Sequence, residues 1–197
     1  MSFRIEKKIF VKRENLFEFK KMLFDNGART LYQNRKVQSI YFDNLKLQMY
    51  KDSIEGLAPR KKIRVRNYPN NSEITYKLEI KISSVEGRHK TSEVISNESF
   101  EKIKSDGIFD PKYGVCLPLL NVVYEREYLK KEEIRITIDT DINYNIFNNP
   151  VIKRDNNVIV ELKTSKISSI DHVFEKYPYQ EIRFSKYCNG IELFNKN

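Results

Sequence analysis

Residues 61–68, KKIRVRNY, and 75–82, TYKLEIKI, alternate strictly with a period of two, yet the positions between the aliphatics are charged. Lys62, Arg64 and Arg66 fall on one side of the first stretch, and Lys77, Glu79 and Lys81 on one side of the second. A two-residue period marks a β-strand, whose successive side chains leave opposite faces of a sheet. A chain patterned in this way must build a sheet with one apolar face and one ionic face.

The pattern recurs far along the chain. FRIEKKIFV groups Arg4, Glu6 and Lys8; VYEREYL groups Tyr124, Arg126 and Tyr128; EIRITIDT groups Arg135, Thr137 and Asp139; VIVELKT groups Glu161 and Lys163. Residues 3–11, 36–43, 60–68, 73–83, 88–95, 121–130, 133–140, 157–163 and 179–184 are predicted strands, rich in Ile, Val, Tyr and Thr and bounded by Asn, Asp, Gly or Pro. Residues 14–27 are predicted as an amphipathic helix, with Leu16, Phe19 and Leu23 at helical spacing and Gly27 as its stop. Further helices are expected over 44–52, over 97–106 before Gly107, and over 168–176 with Ser168 and Asp171 as a capping pair. The fold class is mainly β (α+β), with enough antiparallel strands, eight or more, to close a barrel flanked by several helices. With 197 residues and no linker-like tract, a single domain over 1–197 is expected.

The ionic face has two readings. A half-buried sheet ordinarily leaves its charged side in water. Against that, Arg occurs at 4, 64, 66, 126 and 135, always in phase with the other charges, and arginine suits bidentate phosphate contact. If the charged side turns inward, uncompensated cations there would cost roughly several kcal/mol each unless the interior is wet or filled. A polyanion such as a phosphate chain fills it, and the few acids would then hold a divalent metal. Lys plus Arg exceed Asp plus Glu, 36 to 27, which also points to an anionic partner. Nucleic acid is disfavoured, because base stacking needs aromatics beside the basic residues and the alternate positions are aliphatic (Ile63, Val65, Leu78, Ile80, Ile82).

Two cysteines, Cys116 and Cys188, give neither a disulfide framework nor a metal spacing, and MSFRIEKKIF has no apolar signal segment. A reduced, cytoplasmic setting is expected. No apolar run spans a bilayer, which leaves a membrane partner open. His89 and His172 are too few and too scattered for a histidine metal site, and there is no P-loop or Rossmann glycine pattern.

RIEKK, SIYFDN with Tyr50 after it, KIRVRNY, YKLEIKI, YEREYL, EIRITIDTDI, VIVELKT and FSKYCNG, in that order along nearly the whole chain, resemble the VTC domain. That is the catalytic domain of vacuolar transporter chaperone-type polyphosphate polymerases, within the CYTH or triphosphate tunnel metalloenzyme superfamily. The resemblance implies an antiparallel tunnel barrel whose basic lumen binds ATP or another nucleoside triphosphate and inorganic polyphosphate. It implies phosphate grips at Lys8, Arg64, Arg66, Lys81, Arg126, Arg135 and Lys186, and manganese or magnesium on Glu161. Arg88 and Lys90, in EGRHKTS, stand where the family often has another basic pair. Arg4 and Lys163, in phase with these residues, join the phosphate-binding candidates, and Arg64, Arg66, Arg126, Arg135 and Lys186 are the catalytic ones. Lys186 is out of phase with Glu181 and Arg183, so it is expected on a helix or loop after the last strand.

The triphosphatase branch opens with Glu-x-Glu-x-Lys, whereas the corresponding residues here are Arg4, Glu6 and Lys8. One acid is a base. Glu6 and Glu79 remain as further metal candidates, Glu79 equally as an ion-pair partner of Lys77 and Lys81. Fewer carboxylates favour the polymerase-like branch, with two rivals open: a metal-dependent tunnel triphosphatase, and a non-catalytic polyanion-binding module.

Overall fold

The computed structural model of the chain describes residues 5–165 and 180–195. Arg4 and the helix expected over 168–176, with His172, lie outside the described residues. Eleven strands follow in order: β1 (Ile5–Val11), β2 (Arg29–Asp43), β3 (Arg60–Asn67), β4 (Tyr76–Ser84), β5 (Gly87–Ile95), β6 (Ile108–Asp110), β7 (Gly114–Lys131), β8 (Ile134–Ile146), β9 (Lys153–Asp155), β10 (Val158–Thr164) and β11 (Gln180–Glu181). A 3-10 turn (Arg13–Asn15) leads into helix α1 (Leu16–Asp25). Helices α2 (Gln48–Glu55), α3 (Asn97–Asp106) and α4 (Lys186–Asn195) complete the described elements.

The fold is mainly antiparallel sheet with flanking helices, in the hydrogen-bonded order β11-β1-β10-β8-β7-β2-β3-β4-β5, with β6 on β7 and β9 on β8. The closed barrel expected from strand number is not what the ladder forms: among the described residues the path is open and ends at β11 and β5. Contacts group the described chain into two units. The first holds 5–36, 124–142, 154–165 and 180–184, and the second 37–123, 143–153 and 185–195.

In the first unit the period-two pattern does what its chemistry demands. Ile9 and Val11 of β1, Val158, Val160 and Leu162 of β10, and Ile134, Ile136 and Ile138 of β8 form one apolar cluster with Phe19 and Leu23 of α1, and Leu16 packs against it. Burying a side chain of this size contributes roughly 1.5–3 kcal/mol, so α1 is held by its inner stripe. Glu127, on the helix side of β7, meets Lys20 of α1 at 2.6 Å.

In the second unit Ile40, Phe42, Ile63 and Val65 are buried on the apolar face, and Phe100 of α3 stacks on Tyr76 with ring centroids 4.0 Å apart. Helix α3 starts on Ser96, whose side chain accepts from the Ser99 backbone N–H, and stops at Gly107, where φ is +82°. Helix α4 lies so close to its neighbours that a Cβ on Gly190 would sit 2.6 Å from both Leu120 Cδ2 and Tyr144 Cδ1. Only glycine fits that contact without a shift.

Candidate functional site

The second unit gathers its charges on the face opposite Ile63 and Val65. Register sets Tyr41, Arg64 and Glu79 in one row across β2, β3 and β4, and Ser39, Arg66 and Lys77 in the next. Arg64 donates to Glu79 Oε2 from Nε at 2.7 Å, with Nη2 at 2.6 Å, and donates from Nη1 to the Tyr41 hydroxyl at 3.0 Å. Lys90 Nζ reaches Glu79 Oε1 at 2.5 Å, and Arg66 Nη1 lies 3.8 Å from Oε2. Burial alone would raise the Glu79 pKa, but Arg64, Arg66 and Lys90 hold it down to about 2. Glu79 is thus committed to an ion-pair network. The partners expected for it, Lys77 and Lys81, are replaced by Arg64, Lys90 and Arg66, because β3 and β5 bring those cations alongside.

A third row carries only cations: Lys62, Lys81 and Lys90 are direct partners on β3, β4 and β5. Lys62 donates to Ser185 Oγ at 2.8 Å, just before α4. Lys186 is the first residue of that helix, off the strands as its phase required. Burial would raise the Tyr41 phenol, yet the charges of Arg64, Arg66 and Lys186 hold it below the ordinary tyrosine value. Lys186 therefore belongs electrostatically to the Arg64 cluster. Tyr41 also stacks on Tyr187 at 5.2 Å and 22°, and the Tyr187 hydroxyl donates to Asp43 at 2.5 Å. Asp43 in turn accepts from the Met49 and Tyr50 backbone N–H groups at the start of α2. Arg88 pairs with Ser83 in register and is exposed.

The first unit has its own charged face. Lys8, Glu161 and Thr137 form one row across β1, β10 and β8; Glu6, Lys163 and Arg135 form the next. Lys8 donates to the Phe184 carbonyl at 2.9 Å and lies 3.5 Å from Glu6, while Lys163 lies 3.0 Å from Glu161. Arg126 closes on buried Asp139 through two hydrogen bonds of 2.6 and 2.7 Å. Burial would raise the Glu161 pKa, but a hydrogen bond with Glu6 and the charges of Lys163, Lys8 and Arg126 hold it well below the usual range. Arg135 is in phase with these residues but exposed.

A divalent cation fits the first unit better than the second. No group of three or more His, Cys, Asp or Glu side chains forms a metal cage among the described residues. Magnesium, however, is usually held by one or two carboxylates plus substrate phosphates and water. Glu161 and Glu6 supply two adjacent carboxyls, and the buried Thr137 Oγ1 beside them has no hydrogen-bond partner. That orphaned oxygen is a buried polar group whose hydrogen bond a further ligand or a bound water would supply. Glu79, wrapped by three cations, does not fit the role.

Tyr41, Ser39 and Asp139 are absent from the sequence-based candidates. Tyr41 and Ser39 lie in SIYFDN in phase with each other, a period-two signal that reads as strand core until β3 supplies Arg64 and Arg66 across from them.

The VTC domain model matches residues 3–195. The fold is similar to that of a Bacillus halodurans protein provisionally named an adenylate cyclase (14% identity, TM-score 0.63, covering 98% of this chain and 99% of that one). It is similar also to a Pyrococcus horikoshii protein (13%, TM-score 0.59, covering 98% and 100%) and to a conserved hypothetical protein of Pyrococcus furiosus (13%, TM-score 0.59, covering 94% and 99%). At these identities the likeness is one of fold. No curated protein matches the chain. The extent of the family match decides the assignment: the chain belongs to the VTC domain family.

Proposed function

We propose that the chain is a polyphosphate polymerase-like phosphotransferase that moves the γ-phosphate of ATP onto the end of an inorganic polyphosphate chain, with a divalent metal, manganese or magnesium. The observation that carries this reading is the row Lys62, Lys81 and Lys90. Three lysines side by side on neighbouring strands offer charge-assisted contacts to successive phosphate oxygens, a spacing that suits a chain of phosphates more than a single anion.

In the second unit Arg64, Arg66, Lys81, Arg88, Lys90 and Lys186 grip phosphates, with Arg64, Arg66 and Lys186 the catalytic members. In the first unit Lys8, Lys163, Arg126 and Arg135 do so, Arg126 and Arg135 being catalytic, and Arg4 extends that row in sequence. Glu161 and Glu6 hold the cation, which when bound supplies charge neutralisation at the phosphate oxygens. Phosphoryl transfer needs position and charge more than covalent help. A terminal oxygen of the chain forms a bond to the γ-phosphorus as the bond to the β–γ bridging oxygen breaks and ADP leaves. The nucleophile is already an anion, so no general base is required.

Labelled ATP, manganese or magnesium and a short polyphosphate seed, resolved on a gel, test this reading. Long labelled chains are the expected product. Free phosphate alone would make water the acceptor and the chain a triphosphatase, and ATP binding without conversion would leave a binding module.

A further inference from the structure

The second unit has a cavity of about 300 Å³ on the apolar side of β2 and β3. The paired residues Gln38 and Asn67, and Ile40 and Val65, form its wall. The pair between them, Ser39 and Arg66, faces the other way, into the cationic cluster. Phe100 and Lys104, one turn apart on α3, close the helix side, and Tyr76 lies stacked on Phe100 at 14°. Phe147 and Asn148, just after β8, complete the rim.

Its chemistry differs from that of the charged face. Among the described residues no Asp or Glu lines it, and Lys104 supplies its one charge, with Nζ 5.3 Å from the Phe100 ring. The same Nζ lies 2.5 Å from Glu101 of the same helix, an exposed pair of the kind that contributes little and that a phosphate can displace. Gln38 donates from Nε2 to Asn121 at 3.1 Å, and Asn121 donates to Asn145 at 2.9 Å. That chain uses one of the two N–H donors of the Gln38 amide and leaves the other, with the carbonyl oxygen, for a ligand. Asn67 and Asn148 add amides that both donate and accept. Aromatic rings offer stacking, amides read a planar hydrogen-bonding edge, and a lysine selects an anion. The volume is at the lower limit of small-molecule pockets, roughly 300–1,000 Å³, which suits one mononucleotide.

We propose that this cavity binds a nucleoside monophosphate, its base among the aromatic rings and amides and its phosphate at Lys104. The site does not rest on the polymerase reading. Its wall does carry Arg66 on the reverse side, since Val65 and Asn67 flank that residue in β3, so occupancy is expected to alter phosphate affinity on the other face. Linkage makes the effect reciprocal.

Calorimetric titration of the full chain with AMP, without metal, tests the site, first alone and then with tripolyphosphate saturating the cationic face. One AMP per chain should bind in both conditions, with any weakening by tripolyphosphate levelling off as coupling does. Asn67→Leu and Lys104→Ala should each weaken AMP at least tenfold while leaving tripolyphosphate bound. Lys104→Ala changes a half-exposed helix position and keeps the test intact should Asn67→Leu misfold. Complete displacement by tripolyphosphate, unchanged affinity in both variants, or no AMP binding at millimolar concentration would each overturn the proposal.

Discussion

Arg126 holds Asp139 in a two-pronged grip of 2.6 and 2.7 Å, with the Asp139 side chain almost wholly buried. The guanidinium edge that a phosphate would use therefore already carries a carboxylate, and burial, which would lower the Arg126 pKa, is outweighed by that charge. Removing one partner of a buried ion pair costs roughly 3–5 kcal/mol. Asp139→Asn is expected to lower the melting temperature and to show a larger rise on adding tripolyphosphate than wild type does, because phosphate then replaces the missing charge. Equal shifts in the two proteins would separate Arg126 from phosphate binding.

Glu79 sets a pH window for the second unit. Its pKa falls from 4.5 to about 2 on folding. A depressed carboxylate contributes stability that is present above its unfolded value and lost as pH falls through the folded one. Melting temperature should decline between about pH 4.5 and pH 2, and Glu79→Gln, already destabilised at neutral pH, should lose much of that slope.

Tyr41 is expected to act as a positioning residue. Tyr41→Phe removes the acceptor of the 3.0 Å bond from Arg64 while keeping the ring on Tyr187. A single such bond contributes about 1 kcal/mol, so tripolyphosphate affinity should fall roughly fivefold with little change in melting temperature. An equal loss of stability and binding would make the tyrosine structural only.

Gly190 seats the helix that carries Lys186. A Cβ there meets Leu120 and Tyr144 at 2.6 Å, and overpacking of this kind costs about 1–3 kcal/mol. Gly190→Ala should lower stability by that amount in chemical denaturation and also weaken phosphate binding through displaced Lys186. Unchanged stability would mean that α4 shifts freely.

Alternation in the sequence shows which face a residue takes, but not which residue stands across from it. The aliphatic and ionic faces of β1, β3, β4, β8 and β10 were legible for that reason, as were α3, with its bounds at 97 and 106, and the buried stripe of α1. The partners of Glu79 were not, because directly opposed cross-strand side chains come closer than residues two apart along one strand, and register depends on the whole ladder. The same limit hid the Arg126–Asp139 pair and the Lys62, Lys81 and Lys90 row. Strands β6 and β9, three residues each, and the early part of β2, where Gln33, Asn34 and Arg35 break the alternation, carry too little apolar signal to read alone.

The most direct test of the proposed chemistry is Glu161→Gln, which keeps the side-chain volume and removes the charge that a hard divalent cation needs. Two quantities are measured on the variant and on wild type: tripolyphosphate affinity without metal, and turnover of labelled ATP into chains with manganese or magnesium. Affinity should hold or tighten, since the basic residues remain and a repelling carboxylate is gone, while turnover falls by orders of magnitude. Turnover at the wild-type rate would contradict the assignment of the metal to Glu161.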